Sequence, residues 1–308
     1  MPEIDAYIKY FNNNSEFLAV DSTQLGSDYD IDEFDVIWEF KGLGGIKVQD
    51  KILIHEYSSL STGSAPKLKN LLKSKLNKKP DLRIFLNESV KEGFKFHDSI
   101  DYCYRDMGID ESFVNTISEK KEYDFVYVGS IGRERGIDKF LQSFDTKSLG
   151  KLCLVGTVED ELYNQYKRNS DIIFTGKVPY QEVPKIASRA FYGINYIPDK
   201  YPYNIQTSTK LLEYLALGLK VITTDYKWVR NFEKKYNCSF FKIGEKNYKL
   251  KSEYLDKHQF SSNFNPEWFL WDRRIEQSGI NEKILDILKK KKEMNDNERY
   301  NQKSSSVF

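Results

Sequence analysis

The chain has 308 residues, of which 40% are hydrophobic and 30% are charged, and this balance is typical of a folded globular protein rather than a disordered one. This length exceeds what one hydrophobic core usually serves, so we expect two domains of about 100–150 residues each. The 47 basic and 46 acidic side chains nearly cancel, which excludes a nucleic-acid binder that works through bulk positive charge.

The cysteines Cys103, Cys153 and Cys238 are odd in number and far apart in the sequence. This pattern indicates buried thiols in a reducing compartment rather than a disulfide framework or a metal site. No segment reaches the roughly 18 consecutive apolar residues of a membrane span, and the N-terminus has no basic flank before a long apolar run. We therefore expect a cytoplasmic protein.

Short apolar runs rich in β-branched and aromatic residues alternate with longer amphipathic stretches along the chain. The runs that we interpret as strands are residues 17–20, 34–40, 51–57, 82–87, 124–130, 151–156, 171–176, 192–197 and 220–225. This alternation is typical of parallel sheets built from strand-helix-strand units. The sequence therefore predicts an α/β protein with two doubly wound, Rossmann-like domains.

A polar segment, Glu111–Tyr123, separates the first group of predicted strands from the second, and we place a domain boundary within it. The predicted N-terminal domain covers residues 1–117 and the predicted C-terminal domain covers residues 118–266. Residues 267–308 are expected to form a helix and then a disordered basic tail.

Leucines recur at helical spacing between Pro66 and Pro80, which predicts a basic amphipathic helix. Its lysines are Lys67, Lys69, Lys73, Lys75, Lys78 and Lys79. Two interpretations stay open. In one, the leucine stripe packs in the core. In the other, the helix rests on an anionic membrane surface, where each nearby lysine contributes about 1 kcal/mol.

The predicted strand 124–130 ends in a turn with the sequence GSIGRERG, at Gly129–Gly136, and an amphipathic helix follows. Glycine lets the backbone approach a ligand closely, the helix N-terminus directs amide hydrogens at it, and Arg133 and Arg135 add charged donors. Such a loop suits a diphosphate. The alternative is a purely structural strand-to-helix turn.

Further along, a polar loop leads into a helix ended by Gly218 and then a strand. The ordered combination of Gly129–Gly136, Thr175–Val178 and the K-x-x-E-Y-x-A-x-G-x-x-V-I block at Lys210–Ile222 resembles retaining GT-B glycosyltransferases of group 1, of the family 4 type. The resemblance covers residues 124–230. It implies two Rossmann-like domains with a cleft between them and a C-terminal helix that crosses back to the first.

The resemblance also implies a function. A hexosyl or N-acetylhexosaminyl unit would pass from a nucleotide diphosphate sugar, with a UDP-sugar favoured, to a saccharide or lipid-linked acceptor with retention at the anomeric carbon. Bacterial surface polysaccharide or glycolipid synthesis is the expected setting. The partners would be the nucleotide sugar and the acceptor, without nucleic acid.

Position by position, the resemblance assigns Glu213 to the ribose hydroxyls, which a carboxylate can accept. It assigns Arg135, in place of the family's usual lysine, to the diphosphate, where a fixed charge stabilises the leaving nucleotide. The catalytic residues that it implies are His55, Arg135 and Lys210. The donor-binding set is Gly129, Ser130, Gly132, Arg133, Arg135, Thr207, Ser208, Thr209, Lys210 and Glu213. No metal cofactor is expected, because Arg135 and helix N-termini take the metal's place.

The chain departs from the family pattern at two positions. Ile205 stands where the family often has a first glutamate, and Ser130 stands where an arginine is usual, for which Arg133 is a candidate replacement. The departures, with a short N-terminal domain, motivate a rival interpretation: a catalytically silent GT-B subunit that binds a saccharide or a partner glycosyltransferase. A nucleotide-sugar epimerase is less favoured, because no pair of acid-base groups is visible.

In the N-terminal half, His55 and Glu56 are expected at the carboxyl end of a strand, the edge where ligands bind in open α/β sheets. His55 resembles in position the family's histidine that contacts the donor sugar, with Glu56 as an alternative cleft carboxylate. The acceptor or membrane side is assigned to Glu56, Lys67, Lys69, Lys73 and Lys75. If the basic helix binds lipid, the location is the inner face of the plasma membrane.

Asp28, Asp30 and Asp32 match the aspartate-x-aspartate signature of metal-dependent GT-A transferases, whose carboxylates hold a divalent ion. Their place near the N-terminus, just before a strand, indicates an exposed turn instead. We therefore expect no metal site there.

Overall fold

The structure is a computed structural model that describes residues 1–26, 29–46, 48, 50–244 and 250–305, without the side chains of 295, 296 and 298–305. Contacts divide the chain into two units. The first holds Met1, Glu3–Asp106 and the segment from Asp272 onward, and the second holds Met107–Trp271 with Pro2.

The described residues form strands and helices in alternation. The strands are β1 (Val36–Phe40), β2 (Ile52–Tyr57), β3 (Leu82–Phe85), β4 (Tyr102–Tyr104), β5 (Tyr123–Val128), β6 (Leu152–Val155), β7 (Ile172–Gly176), β8 (Ala190–Asn195), β9 (Lys220–Thr224) and β10 (Phe241–Ile243). The helices are α1 (Pro2–Asn14), α2 (Pro66–Leu76), α3 (Glu88–Phe94), α4 (Glu111–Asn115), α5 (Ile137–Ser143), α6 (Thr146–Leu149), α7 (Asp160–Tyr166), α8 (Val183–Ala187), α9 (Thr209–Ala216), α10 (Lys227–Tyr236), α11 (Ser252–Lys257), α12 (Trp271–Ser278) and α13 (Ile280–Ser305).

The sheet of the first unit has four parallel strands in the order β1-β2-β3-β4. Every residue of β2 is buried, as expected for the middle of a parallel sheet covered on both faces. Helix α1 packs against this sheet through Tyr7, whose ring centroid lies 4.3 Å from that of Trp38 on β1. The strand order follows the chain order, so the winding of this sheet does not reverse.

Residues 17–20, predicted as a strand, follow α1 and lie in no strand. Leu18 is 83% exposed, and Phe17 packs back on Phe11 of α1 with ring centroids 5.9 Å apart. The prediction is wrong because the run has no neighbouring strand with which to form hydrogen bonds. Helix α1 and the short strand β4 were not predicted.

The sheet of the second unit has six parallel strands in the order β10-β9-β8-β5-β6-β7. From β5 the chain winds outward to β7 and then returns to β8 on the other side of β5. This reversal puts a switch point between β5 and β8, where ligands of open α/β sheets bind at the carboxyl ends of the strands. Apolar clusters cover both faces, with Val126 in one and Phe125 in the other. The predicted α/β fold with Rossmann-like sheets is confirmed.

The contacts place residues 107–117, which the sequence analysis put in the N-terminal domain, with the second unit. Phe113 of α4 is buried in the core of that unit, and its ring centroid lies 5.5 Å from that of Tyr180. The predicted boundary lies too far along the chain because the segment is mostly polar in sequence. The aromatic ring of Phe113 nevertheless anchors it in the core of the second unit.

The C-terminal segment belongs to the first unit, in agreement with a helix that crosses back to it. Ile280 and Ile284 of α13 are buried, and Lys283 Nζ lies 2.6 Å from Asp101 Oδ2. The helix continues to Ser305, so the basic run that was predicted to begin a disordered tail is helical.

Candidate functional site

Two loops of the second unit meet at the carboxyl ends of β5 and β8. The turn Gly129–Gly136 follows β5, and α9 begins at Thr209 after the loop from β8. Gly129 has a φ of +137°, and a Cβ atom at this position would lie 3.3 Å from Lys210 Nζ. Glycine therefore allows both this backbone conformation and the close approach of Lys210 to the turn.

The ammonium group of Lys210 is buried beside an aromatic ring. Its Nζ atom is buried, lies 4.1 Å from the centroid of the Tyr127 ring, and has no hydrogen-bond partner among the described residues. Burial and repulsion by Arg135 lower the pKa of Lys210 to about 7, although attraction by Glu213 acts in the opposite direction. Since a buried, unpaired amine is costly, this position suits a group whose partner is an anionic ligand.

Glu213 lies one turn further along α9, on the same helix face as Lys210. It is 5% exposed, and its Oε1 accepts a hydrogen bond of 2.7 Å from the Tyr180 hydroxyl. Burial raises the pKa of Glu213 to about 7, although Tyr180 and Lys210 act in the opposite direction. A carboxyl group at this depth needs partners, and ribose hydroxyls are donors of the right kind.

The two arginines of the turn have different surroundings. Arg133 is exposed, and its Nη2 lies 2.5 Å from Oε2 of Glu161, which is exposed as well. Arg135 is half-buried, and its charge lowers the pKa values of both Lys210 and Tyr127, although burial holds that of Tyr127 at about 12. Arg135, Lys210 and Glu213 therefore share one region, whereas Arg133 forms a surface ion pair.

The three hydroxyl residues before and at the start of α9 also differ. Ser208 is buried, and its Oγ donates to Asn195 Oδ1 at 2.7 Å. Asn195 in turn donates to Thr223 Oγ1 at 3.0 Å. The Ser208 hydroxyl thus ties the loop to β8 and β9, whereas Thr207 and Thr209 are half-buried beside it.

Gly132 and Ser130, two small residues of the turn, each have a structural role. A Cβ on Gly132 would lie 2.2 Å from Glu159 Oε1, which accepts a hydrogen bond from the Arg133 amide. Ser130 is exposed, and its carbonyl accepts from the Tyr127 hydroxyl at 3.1 Å. Hydrogen bonds to Glu159 and from Tyr127 therefore fix the conformation of the turn.

Three tyrosines around these charges escaped the sequence analysis. Tyr127 lies under Lys210, Tyr180 donates to Glu213, and the hydroxyl of Tyr214 accepts a hydrogen bond of 2.8 Å from the Val128 amide. Tyr127 stands in the predicted strand 124–130 and Tyr214 in the block Lys210–Ile222. A tyrosine buried there needs a hydrogen-bond partner, which was the available signal.

In the first unit, the expectation that His55 and Glu56 lie at the carboxyl end of their strand is wrong. Strand β2 continues to Tyr57, and His55 pairs with Glu39 of β1 and Arg83 of β3 inside the sheet. The unbroken pairing on both sides explains why the strand does not stop at the histidine.

His55 is fully buried, so it has no surface for contact with a sugar. Its Nε2 lies 3.2 Å from Glu39 Oε2, but neither ring nitrogen has a well-aligned hydrogen-bond partner among the described residues. Burial and the nearby charge of Lys41 lower the pKa of His55 to about 4, so the ring is neutral at pH 7.

Glu56 is buried in an ion pair with Arg105. Its carboxylate also accepts hydrogen bonds from Trp38 Nε1 at 3.0 Å and Ser58 Oγ at 3.1 Å. Arg105 Nε donates to the Tyr7 hydroxyl at 2.8 Å. This carboxylate joins α1, β1 and β2, and its oxygens are already engaged.

Helix α2 presents three of its four leucines to solvent and leaves Leu71 half-buried, so the interpretation in which the whole stripe packs in the core is wrong. Leu68, Leu72 and Leu76 are 56%, 44% and 65% exposed. Asn70 is the buried residue of this helix, and its Oδ1 accepts from the Ser61 amide at 2.9 Å. Lys67, Lys69 and Lys75 are exposed, and Lys73 is half-buried.

In the described part of the chain, no three His, Cys, Asp or Glu side chains are grouped so that they could bind a metal ion. Asp30 accepts a hydrogen bond from the Asp32 amide at 2.9 Å and caps a short turn, and Asp28 lies outside the described residues. No described helix combines the length and the apolar character that crossing a membrane requires.

Residues 108–257 match the family model described as "Glycosyl transferases group 1". This range lies within the second unit and includes every residue of the predicted donor-binding set. The second unit therefore matches the group 1 glycosyltransferases, and the group 1 part of the resemblance seen in the sequence is confirmed. A comparison with curated protein sequences finds no match.

Solved structures with a similar fold are glycosyltransferases of the GT-B class. HepE of Anabaena in complex with UDP and glucose aligns with a TM-score of 0.54 at 10% identity, over 78% of this chain and 72% of that one. Sucrose-phosphate synthase from Thermosynechococcus elongatus aligns with a TM-score of 0.51 at 14% identity, over 82% and 68%. The pneumococcal O-GlcNAc transferase GtfA in complex with UDP and GlcNAc aligns with a TM-score of 0.54 at 14% identity, over 77% and 53%. At these identities the likeness shows the fold.

Proposed function

We propose that the protein transfers a glycosyl unit from a nucleotide diphosphate sugar, with a UDP-sugar favoured, to a hydroxyl of a saccharide or lipid-linked acceptor. The observation that carries this proposal is the buried Nζ of Lys210, which has no hydrogen-bond partner among the described residues and feels the charges of Arg135 and Glu213 at the switch point of the second sheet. Two structures with this fold are complexes with UDP, which supports UDP as the nucleotide here.

The reaction places its largest demand on the leaving diphosphate. As the bond from the anomeric carbon to the phosphate oxygen breaks, the electron pair and negative charge pass to that oxygen. Arg135 and Lys210 supply positive charge for it, so a metal ion is not needed in this proposal. Glu213 would bind the ribose hydroxyls and set the position of the nucleotide.

Retention at the anomeric carbon is part of the proposal. The acceptor oxygen would attack from the face that the diphosphate leaves, and the acceptor proton would pass to the departing phosphate oxygen. In this scheme the transition state resembles an oxocarbenium ion, and no carboxylate nucleophile is required. Synthesis of a bacterial surface polysaccharide or glycolipid in the cytoplasm, at the inner face of the plasma membrane, is the proposed setting.

The test compares Arg135→Gln with Arg189→Gln. The substitution Arg189→Gln removes the same charge from the same unit, but Arg189 forms an ion pair with Glu122 on the surface. We expect Arg135→Gln to weaken UDP binding and to lower the rate of UDP-sugar hydrolysis on the order of 100-fold, because a charge on the leaving group is lost. Arg189→Gln should match the wild type in both measurements, made by titration calorimetry and by UDP release.

Two outcomes would contradict the proposal. Equal activity of Arg135→Gln and the wild type would remove the assigned role of this charge. Binding of UDP without its release from any sugar donor or transfer to any acceptor would favour the silent subunit, which Ile205 in place of the family's first glutamate suggests.

A further inference from the structure

Helix α2 of the first unit carries an apolar stripe that is largely exposed to solvent. Leu68, Leu72 and Leu76 stand on successive turns and are each more than two-fifths exposed. Leu43, 63% exposed, lines the same cavity as Leu72 and extends the apolar area beyond the helix. A contiguous apolar patch of this kind on a protein surface marks an interaction site.

The same helix is strongly cationic. It contains Lys67, Lys69, Lys73 and Lys75 and no acidic residue. Two of these lysines lie in the first turn, which has no side-chain cap, and the helix dipole disfavours positive charge there. An anionic partner would offset this repulsion. We call these four lysines together with Leu68, Leu72 and Leu76 the leucine–lysine face.

A cavity of about 520 Å³ opens beside the leucine–lysine face. Leu60 and Leu72 supply apolar lining, Lys69 and Lys73 supply ammonium groups, and neighbouring serine and threonine residues add hydroxyls. Burial and the charge of Lys69 lower the pKa of Lys73, as expected where two ammonium groups share a confined space. This mixture of apolar and cationic groups suits a phosphate headgroup joined to an acyl chain.

We propose that the leucine–lysine face docks on an anionic membrane surface, with its leucines at the headgroup–acyl boundary and its lysines against lipid phosphates. An amphipathic helix that lies in the interface has this composition. A second copy of the chain fits less well, because face-to-face pairing of two such helices would bring like charges together. Nucleic acid would leave the leucines in water. The inference goes beyond sugar transfer and holds whatever the donor is.

The test measures partitioning of the full chain to vesicles of phosphatidylcholine with and without phosphatidylglycerol. Wild type should bind the anionic vesicles. The lysine variant, Lys67→Gln with Lys69→Gln and Lys75→Gln, should bind on the order of 100-fold more weakly, since each lysine near an anionic surface contributes about fivefold. The leucine variant, Leu68→Ser with Leu72→Ser and Leu76→Ser, should lose binding as well, because the apolar insertion is gone.

The matched control variants remove the same number of exposed lysines or exposed apolar side chains outside α2. The lysine control is Lys227→Gln with Lys234→Gln and Lys235→Gln, three exposed lysines of α10. The leucine control is Leu18→Ser with Val20→Ser and Ile117→Ser, three exposed apolar residues. Both controls should partition like the wild type. Circular dichroism of every variant during urea unfolding reports whether the first unit, which contains α2, is still folded. UDP binding reports on the second unit and keeps this test separate from that of sugar transfer.

Several results would overturn the inference. Wild type that binds neither kind of vesicle would do so, as would a lysine variant that partitions like the wild type. A concentration-dependent dimer that dissociates in the leucine variant, without lipid binding by the wild type, would assign the face to a second copy of the chain. Binding of single-stranded DNA in place of vesicles would assign it to nucleic acid.

Discussion

Lys210 and Glu213 are two ionisable residues on one face of α9, and burial moves the pKa of each to about 7 from opposite sides. Tyr180 is the hydroxyl partner of Glu213, whereas the Lys210 ammonium rests on the Tyr127 ring without a hydrogen bond. Such a lysine costs folding free energy, because a cation–π contact and the attraction of Glu213 do not fully replace the lost water. Binding sites keep such groups at the expense of stability.

Lys210→Met tests this cost. Methionine keeps the apolar stem and removes the charge, so we expect the free energy of unfolding to rise by about 1–4 kcal/mol at pH 6, while UDP binding weakens. The pKa of Lys210 is lowered from 10.5 in the unfolded chain to about 7, so the wild type bears the full cost below pH 7. The advantage of the variant should shrink from pH 7 upward and vanish near pH 10.5. Urea unfolding across this range measures it, and an advantage that grows with pH would contradict the assignment.

At the scale of elements, the docking of α9 on β8 sets the direction in which the Lys210 and Glu213 side chains project. Gly193 of β8 has no side chain, and the ring of Tyr214 occupies the space above it. The Tyr214 hydroxyl also accepts from the Val128 amide at the end of β5. One tyrosine therefore fixes α9 to both strands of the switch point, so that Lys210 and Glu213 project from a rigid element.

Gly193→Ala should disturb this docking. A Cβ atom would lie 2.4 Å from Tyr214 Cγ, so the ring or the strand must move, and overpacking of this kind costs about 1–3 kcal/mol. We expect a lower thermal midpoint and weaker UDP binding. Gly244→Ala is the matched control, because nothing lies within 4 Å of its Cβ position. If both variants melt at the wild-type temperature, the close packing of Tyr214 on Gly193 is not important for stability.

The leucine–lysine face of α2, in contrast to α9, leaves apolar side chains exposed to solvent. Periodicity predicted α2 but left open whether its leucines pack in the core. The answer depends on neighbours that are distant in sequence: Asn70 faces inward and Leu68 faces out. A helix pattern specifies which residues share a face, whereas the tertiary structure decides which face is covered.

At the scale of the whole molecule, the first unit is assembled from two separate stretches of chain. Ile280 and Ile284 of α13 are buried in it, and Lys291 Nζ donates to the Lys51 carbonyl at 2.8 Å. The second unit is continuous from Met107 to Trp271 and has apolar clusters on both faces of its sheet. The two units therefore depend on the C-terminal segment to different degrees.

Deletion of residues 280–308 should unfold the first unit and leave the second folded, because only the first loses core residues. Urea unfolding followed by circular dichroism should then show the loss of one transition. A shorter deletion, after Met294, retains Ile280, Ile284 and Lys291 and should leave both transitions in place. A long deletion without effect on either transition would show that α13 is dispensable for the fold.

Much of the fold follows from local patterns. Eight of the nine runs interpreted as strands correspond to strands of the structure, because buried parallel strands read as short apolar segments wherever they lie. The ninth run, 17–20, failed because four apolar residues without a pairing partner do not make a strand. Strand β4 has only three residues, two of them exposed, so its composition carried no signal.

By itself, the sequence determined the α/β class, the two sheets and the order of motifs that identifies the second unit, since these depend on composition and on spacing along the chain. Only the tertiary structure decided the state of each charged group. Lys210 is buried without a partner, Glu56 is neutralised by Arg105, and Arg133 lies on the surface with Glu161. The reason is physical: desolvation and pairing depend on residues that are close in space but far apart in the chain.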